Sequence, residues 1–379
     1  MHARRRTSTA ATVLRSVLDN GPVARSTIAR LTGLSPAAVT RQYAELAGLG
    51  LVREVQERRV PRATVGRPHV PVDIDVDRFA VCGVHIAVPH TTLSLMDLRG
   101  RVLHEEREPH GARTPEAVFG RVLARFPAFL EATRAGRTLL GVGLATGGWV
   151  DPERGLIVRH SQLGWRDVPA REALAPLGMP VHVESHSRAL ARAEQLFGDQ
   201  RTRSSLVHLF VGNVVDAAIA TGGTVHHGPR SASGDVAHLR LEDSTAECPC
   251  GRRGCLQATV SDRAVAERAA RAGLIPEPSL PLLLDKAEHD IDARTLLRER
   301  ARHVGRAAGL LLDVINPEVL VVTEAGVIGF PECLDELRAQ VGDRADAVVP
   351  TSFGHEVLSV AAGSVVLDAV YGSPLDLSA

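Results

Sequence analysis

Three cysteines lie within eight residues of one another: Cys248, Cys250 and Cys255, in the segment CPCGRRGC. Thiolates are soft ligands that suit zinc, and the glycines let the chain wrap around a small ion. His238, ten residues before Cys248, is the natural fourth ligand. Four protein ligands fill a tetrahedral coordination sphere, so the sequence predicts a structural Zn²⁺ site rather than a catalytic one. The alternative is a turn with three unliganded cysteines.

Charge is distributed unevenly along the 379-residue chain, although the formal net charge is zero. Residues 1–70 contain twelve arginines and four acidic residues, a net charge of +8, so the remainder carries −8. A basic arm on an acidic body predicts two modules with different partners. No apolar run is long enough to span a membrane, and the N-terminus lacks a continuous apolar signal core. We therefore expect a cytoplasmic protein.

The basic arm has the pattern of a winged helix-turn-helix. Apolar spacing and turn residues predict three helices, over residues 9–20, 25–32 and 36–47. Gly33 permits a tight turn before the third helix, Ser35 is a good N-cap, and Pro36 suits the first helical position. Two strands are predicted over residues 51–55 and 70–74, and the arginine-rich loop between them is the predicted wing.

The third helix of such a module enters the major groove of double-stranded DNA. Small residues on its outward face allow close approach, and arginine, threonine and glutamine side chains can bond to bases or phosphates. The expected DNA contacts are Ser35, Ala37, Thr40, Arg41, Gln42 and, on the wing, Arg67. The alternative is a three-helix protein-interaction module with a solvated basic loop.

The acidic body alternates strands with helices, which indicates an α/β fold in two lobes. Strands are predicted over residues 80–87, 91–97, 139–145, 181–184, 206–211, 217–221 and 319–323. Helices are predicted over residues 115–131, from the 181–184 strand to Phe197, and over 293–315. Ligands of such folds usually lie in the cleft between lobes, at strand ends.

His238, nine intervening residues and CPCGRRGC together resemble the signature of the ROK family of repressors, uncharacterised reading frames and sugar kinases. The resemblance continues through Arg15–Val55, Gly66-Arg67-Pro68, Gly141–Asp151, Leu163-Gly164-Trp165, Val181–Gly198 and Val304–Val322. It implies an actin-like/ribonuclease H-like body of two lobes that binds sugars in its cleft. The expected domains are a winged helix-turn-helix over 1–74, a first lobe over 75–190 completed by a C-terminal helix over 357–373, and a second lobe with the zinc loop over 191–356.

Positions that serve phosphoryl transfer in the family's kinases are altered here. Two Gly/Thr-rich phosphate loops, a pair of glycines near the nucleotide and an Asn-Asp pair correspond to residues 85–90, residues 211–216, Glu324-Ala325 and Ser185-His186. Most of the glycines and the catalytic Asp are absent, and Pro89 removes an amide donor. We therefore expect no enzymatic activity. A sugar kinase with an attached DNA-binding domain is the alternative.

The family's sugar ligands correspond to polar residues at six positions of this chain: Gln162, Ser185, His186, Asp235, His238 and Gln257. Most differ from the family's own residues, so we expect a sugar-like effector other than a common hexose in the usual pose. The resemblance implies a transcriptional regulator, a repressor of carbohydrate-related genes, that binds operator DNA as a homodimer or homotetramer. The alternatives are regulation by a protein partner and a vestigial cleft that binds nothing.

Overall fold

The computed structural model describes residues 8–55 and 70–377 of the chain. The N-terminal module contains three helices and two antiparallel strands: α1 (Thr9–Asn20), α2 (Arg25–Thr32), α3 (Pro36–Leu49), β1 (Val52–Glu54) and β2 (Val72–Ile74). Gly33 ends α2 with a φ of +70°, and Ser35 Oγ accepts a hydrogen bond from Ala38 N at 3.2 Å. These are the turn and cap predicted from the sequence. The predicted wing lies outside the described residues.

The first lobe contains a five-stranded sheet, a small three-stranded sheet and two helices. Its strands are β3 (Phe79–Ile86), β4 (His90–Met96), β5 (Val102–Pro109), β6 (Thr138–Thr146) and β10 (Val181–Ser185), in the order β10-β6-β3-β4-β5. A small separate sheet contains β7 (Trp149–Asp151), β8 (Leu156–His160) and β9 (Trp165–Val168). The helices of this region are α4 (Pro115–Thr133) and α5 (Ala170–Leu174).

The second lobe repeats the strand order of the first. Its sheet runs β13-β12-β11-β14-β15, with β11 (Leu206–Val211), β12 (Val215–Thr221), β13 (Thr224–Val225), β14 (Val319–Glu324) and β15 (Val348–Pro350). In both sheets the first three strands form an antiparallel meander and the last two join it in parallel. This duplicated order confirms the predicted actin-like/ribonuclease H-like fold. The helices are α7 (Leu256–Val260), α8 (Asp262–Arg271), α9 (Leu280–Ala287), α10 (Ile291–Ile315), α11 (Ala325–Gly329) and α12 (Pro331–Arg338).

Two helices lie at the junction of the lobes: α6 (His186–Phe197) and α13 (Val357–Gly372). Helix α6 contacts β11 and β12 of the second lobe, whereas α13 packs on β3 and β6 of the first and on α6. The approach of α13 to β6 is so close that a Cβ on Gly143 would collide with the Ala362 carbonyl oxygen. Short 3-10 helices cover Ala175–Leu177, Gln200–Arg203, Pro229–Ser231, Gly342–Ala347, Gly354–Glu356 and Pro374–Asp376. The domain boundaries given above stay predictions.

The winged helix docks firmly on the body. Leu14 and Val17 of α1 share one apolar cluster with Leu196 of α6 and with Val370 and Tyr371 of α13. Burial of such apolar surface is the main favourable term in docking. Polar contacts flank the cluster: Arg203 pairs with Asp19 at 3.2 Å, Arg99 donates to the Leu18 carbonyl oxygen at 3.2 Å, and Arg15 donates to the Gln195 carbonyl oxygen. The orientation of the module is therefore fixed by packing on the body.

Among the residues that the structure describes, no helix is both long and apolar enough to cross a membrane.

Candidate functional site

Helix α3 presents four of the predicted DNA-contacting residues to solvent. Ser35, Ala37, Thr40 and Arg41 are all exposed. On the opposite side of α3, Val39 and Leu46 are fully buried and fix the helix against α1 and α2. The exposed face is thus rigidly supported and available to a partner.

The two other predicted DNA contacts, Gln42 and Arg67, do not belong to this exposed face. Gln42 is only 7% exposed, because it lies on the inward side of α3, and its Nε2 donates to Glu45 Oε2 at 3.0 Å. The structure therefore separates Gln42 from the four exposed residues. Arg67 lies outside the described part of the chain.

The structure brings the four predicted metal ligands together. The donor atoms of His238, Cys248, Cys250 and Cys255 all lie within 4.8 Å of one another. Cys248 Sγ is 3.7 Å from His238 Nδ1, and Cys250 Sγ is 3.7 Å from Cys255 Sγ. A tetrahedron with metal–sulfur bonds of about 2.3 Å has edges of about 3.8 Å, so this donor set fits a tetrahedral ion. The cluster can hold a metal.

Backbone contacts build the cysteine loop. Gly251 and Gly254 have φ values of +85° and +73°, and a Cβ on Gly254 would lie 2.6 Å from the Ser244 carbonyl oxygen. A hydrogen bond from Arg252 lowers the pKa of Cys250 to about 6, whereas burial raises the pKa of Cys255 to about 11. Leu256 N donates to Leu239 O at 2.8 Å, which links the loop to the segment that carries His238.

Two predicted effector residues lie at the start of α6, and one of them, His186, contacts the second lobe. Ser185 is 2% exposed and caps α6, its Oγ accepting from Arg188 N at 3.4 Å. His186 is 3% exposed; its Nε2 lies 3.0 Å from Asp216 Oδ1 on β12, and its ring centroid lies 3.9 Å from that of Phe210. Ser185 Oγ and His186 Nε2 therefore have partners inside the protein, whereas His186 Nδ1 is buried without one.

Gln257 also has internal partners. Its Oε1 accepts from Val215 N at 2.8 Å, and its Nε2 donates to the Asn213 carbonyl oxygen at 2.7 Å. Gln257 thus holds the turn that corresponds to the family's second phosphate loop. By contrast, the Asp235 side chain is 57% exposed, and Gln162 is half-buried. The six predicted effector residues are therefore not gathered in one place. Ser185, His186 and Gln257 make contacts inside the protein, His238 belongs to the cysteine cluster, and Asp235 and Gln162 lie at the mouth of the cleft.

The second lobe contains a buried network of charged side chains that we did not predict from the sequence. Arg300 is completely buried, with its guanidinium 2.7 Å from Glu324 Oε1 and 2.6 Å from Asp262 Oδ1. Glu324 also caps α11 by accepting from Val327 N at 2.8 Å. Glu324 is the residue that stands where the family's kinases have a nucleotide-side glycine. An arginine among the apolar residues of α10 was the available sequence signal.

Four histidines gather in the core between the lobes: His85, His160, His186 and His208. The rings of His85 and His186 are almost parallel, with centroids 5.7 Å apart. Burial, with a contribution from the neighbouring His186, lowers the pKa of His85 well below its usual value, that of His160 to about 4 and that of His208 to about 3. His85, His160 and His208 are therefore neutral near pH 7.

The chain matches the ROK family model over residues 81–361. It is 35% identical to the transcriptional regulator Rv0485 of Mycobacterium tuberculosis, over 97% of this chain and 87% of that protein. It is 25% identical to the DNA-binding transcriptional repressor Mlc of Escherichia coli, over 97% of this chain and 94% of that one. The crystal structure of a ROK family transcriptional regulator homologous to Mlc superimposes with a TM-score of 0.75, at 21% identity, over 97% of this chain and 96% of that chain.

Lowering the pH below about 6.5 is expected to destabilise the fold. Because the pKa values of His85, His160 and His208 are depressed in the folded protein, the unfolded chain binds more protons below about pH 6.5. Their contribution to stability is complete above that pH and declines as the pH falls. Urea unfolding at about pH 7.5 and about pH 5.5 measures the effect. His208→Asn should reduce the difference between the two free energies of unfolding, whereas a change at exposed His289 should not; an undiminished difference in His208→Asn contradicts this account.

Proposed function

The chain belongs to the ROK family, and from that membership we propose that it is a DNA-binding transcriptional regulator, a repressor of carbohydrate-related genes. The observation that carries the proposal is the exposed face of α3, presented by a helix-turn-helix that is docked on a ROK body. Relatives over nearly the whole chain include the repressor Mlc and the xylose repressor of Bacillus subtilis.

In the proposed complex, the N-terminal part of α3 enters the major groove. The small side chains of Ser35 and Ala37 permit close approach, while Thr40 and Arg41 bond to bases or phosphates. Arg67, on the predicted wing, contacts the minor groove or the backbone. The +8 charge of residues 1–70 supports binding to phosphates, and the −8 charge of the remainder keeps DNA away from the body. Gln42 is not among the proposed DNA contacts, because its side chain is buried and bonded to Glu45.

A homodimer or homotetramer would place two such modules on half-sites about one helical turn apart. Because each module is packed on its own body, a change in the body alters the spacing or angle of the two recognition helices. A modest rotation can then prevent both helices from engaging DNA together.

We assign the link between cleft and winged helix to α6. Its first residue, His186, contacts Asp216 of the second lobe, and its last turn contacts α1 through Gln195 and Leu196. A helix of twelve residues is about 18 Å long and stiff, since bending it breaks its hydrogen bonds. A sugar-like effector in the cleft that shifts the lobes at His186 would therefore move the surface on which α1 rests.

The same body is proposed to lack kinase activity. The carboxylate of Asp216 lies in the turn that corresponds to a phosphate loop, where it would repel a phosphate, and Glu324 places a large side chain where the kinases have a glycine. The amide of Gln257 already satisfies two backbone groups of the turn that cradles phosphate in the kinases. Arg300, held by Glu324 and Asp262, has no freedom to move towards a ligand.

We propose that the ion held by His238 and the three cysteines is a structural Zn²⁺. When bound, it would supply four coordinate bonds that lock the cysteine loop onto the segment containing His238. His238 lies three residues after Asp235, so the loop also steadies one wall of the cleft mouth.

Cys250→Ser is expected to reduce bound zinc from about one ion per chain towards zero, because one of four soft ligands is lost. It should also lower the melting temperature, since metal binding is coupled to folding of the loop. Elemental analysis of dialysed protein measures the first effect and thermal unfolding the second. Arg253→Gln, an exposed change in the same loop, is the control and should keep its zinc. Full zinc in Cys250→Ser would exclude Cys250 from the ligand set.

Arg41→Ala is expected to weaken DNA binding by about 10-fold or more, the loss of one charged contact to a base or phosphate (about 1–3 kcal/mol). Fluorescence anisotropy with a DNA site selected by the protein from a random-sequence library measures the affinity. The melting temperature should not change, because Arg41 is exposed.

The control for Arg41 is Arg263→Ala, which removes an equally exposed arginine from α8 of the body. It should leave DNA affinity unchanged. Equal affinities for Arg41→Ala and the unaltered protein would remove α3 as the reading surface. No binding to any selected site would refute the proposed function as a whole.

Sugar phosphorylation is expected to be absent. Incubation with ATP, Mg²⁺ and a panel of hexoses, followed by detection of ADP, should give no signal above that of a sample without protein. Sugar-dependent ADP formation that co-purifies with the protein would favour the kinase alternative.

A further inference from the structure

One face of the small sheet carries an aromatic side chain and two arginines in a row. Trp149 on β7 is directly opposite Arg159 on β8, which is in turn directly opposite Arg166 on β9. Residues directly opposite one another on antiparallel strands share a face, with their Cβ atoms about 5 Å apart. We call these three residues the Trp-Arg-Arg row.

The Trp-Arg-Arg row lies at the exposed end of its sheet. Ile157 and Val168, two residues from the arginines, are paired with each other and buried in the first-lobe core. Arg159 and Arg166 themselves are exposed, and they adjoin the turn that contains Gln162. The core therefore anchors the sheet while the row remains accessible.

The row faces the second lobe across the mouth of the interlobe cleft. Arg159 lies 4.0 Å from Asp235 Oδ2, and Trp149 Nε1 donates to the Arg230 carbonyl oxygen at 2.7 Å. Both Asp235 and Gln162 are positions at which the family resemblance implies a sugar ligand. The row is thus on the border of the proposed effector cleft.

The positive charges of Arg159 and Arg166 are poorly neutralised by carboxylates of the protein. Like charges directly opposite one another on neighbouring strands are unfavourable. The Arg159–Asp235 pair is long, and its side chains are 45% and 57% exposed, so it contributes little. Within the described residues, no carboxylate forms an ion pair with Arg166 at 4.0 Å or less. An anion between Arg159 and Arg166 would relieve this repulsion.

We propose that the cleft mouth binds a monosaccharide that carries one anionic group, a phosphate or a carboxylate. This inference rests on the proposed function, because it names the chemical class of the effector. Arg159 and Arg166 bind the anion through paired N–H donors, the geometry that guanidinium groups offer to both kinds of anion. The indole face of Trp149 supports the apolar face of the sugar ring. Asp235 and Gln162 bond to its hydroxyl groups.

The occupied inner cleft supports this placement. Ser185 and Gln257 have partners inside the protein, and Ser185 and His186 are almost completely buried, whereas the outer residues are accessible to a ligand. The ligand would touch the first lobe through the Trp-Arg-Arg row and the second lobe through Asp235. Contacts to both lobes favour one arrangement of the lobes, and α6 would pass that preference to the winged helix.

Isothermal titration calorimetry on the full-length protein tests the proposal with four probes: glucose 6-phosphate, glucuronate, glucose and inorganic phosphate. At least one of the two anionic sugars should bind about 10-fold more tightly than glucose and than inorganic phosphate. Its affinity should fall as salt is added, because ion pairing is screened. The two anionic sugars differ in the source of the charge, so their relative affinities identify the group.

Arg166→Gln should weaken binding of the preferred anionic sugar by about 10-fold and leave the weak binding of glucose unchanged. Trp149→Ala should weaken binding of both sugars, because it removes the surface beneath the ring. Arg154→Gln is the matched control: Arg154 is an equally exposed arginine in the turn between β7 and β8, outside the row. It should bind like the unaltered protein.

Three outcomes overturn the proposal: no binding of either anionic sugar at millimolar concentration, equal affinities for glucose and the anionic sugars, or an unchanged affinity in Arg166→Gln. Binding of inorganic phosphate as tight as that of the sugars, with no effect of Trp149→Ala, would also overturn it, since the site would then recognise only an anion. A DNA-binding measurement on the same preparation distinguishes failure of the effector proposal from failure of the proposed function. Intact DNA binding with no anionic-sugar binding rejects the cleft-mouth site and leaves the proposed function standing.

Discussion

Helix α6 is the element on which the rest of the molecule depends. Ten of its twelve residues are buried, so its position is dictated by contacts with both lobes and α13. At its start His186 meets Asp216, and near its end Glu194 accepts hydrogen bonds from Thr351 Oγ1 and Ser352 N, each at 2.9 Å. The winged helix then packs against its last turn. A stiff element with fixed contacts at both ends cannot move at one end alone, which ties the proposed DNA-reading surface to the state of the lobes.

Two positions that correspond to ligand-side residues of the family's kinases make contacts within the second lobe instead. Gln257 and Glu324 satisfy backbone groups, and Glu324 also neutralises the buried Arg300. Buried polar groups need partners, and those of Gln257 and Glu324 lie in the protein itself. These internal contacts are consistent with the proposed loss of catalysis. At the mouth of the cleft, Arg159 and Asp235 remain exposed.

The sequence predicted the fold and the metal cluster because their signals are local. Alternating apolar residues mark most strands, Ser35 and Gly33 mark the recognition helix, and the three cysteines lie in a single loop with His238 nearby. The sequence did not reveal the burial of Gln42, which depends on how α3 rotates against α1. Nor did it reveal the Arg300 network or the alignment of Trp149 with Arg159, since both depend on contacts between residues distant in sequence and on strand register. The contact of His186 with Asp216 was visible only in three dimensions.

Amide hydrogen exchange in an Asp216→Asn protein tests the connection through α6 most directly, because Asp216 lies on β12 and the substitution keeps the shape of the side chain while weakening its bond to His186. We predict that amide hydrogens of the Asp216→Asn protein exchange faster than those of the unaltered protein at the start of α6, in its last turn and in α1. Asp285→Asn, an exposed change on α9, should leave all three unchanged. Faster exchange confined to the cleft, with α1 as protected as in the unaltered protein, would contradict the claim that α6 links the cleft to the DNA-reading module.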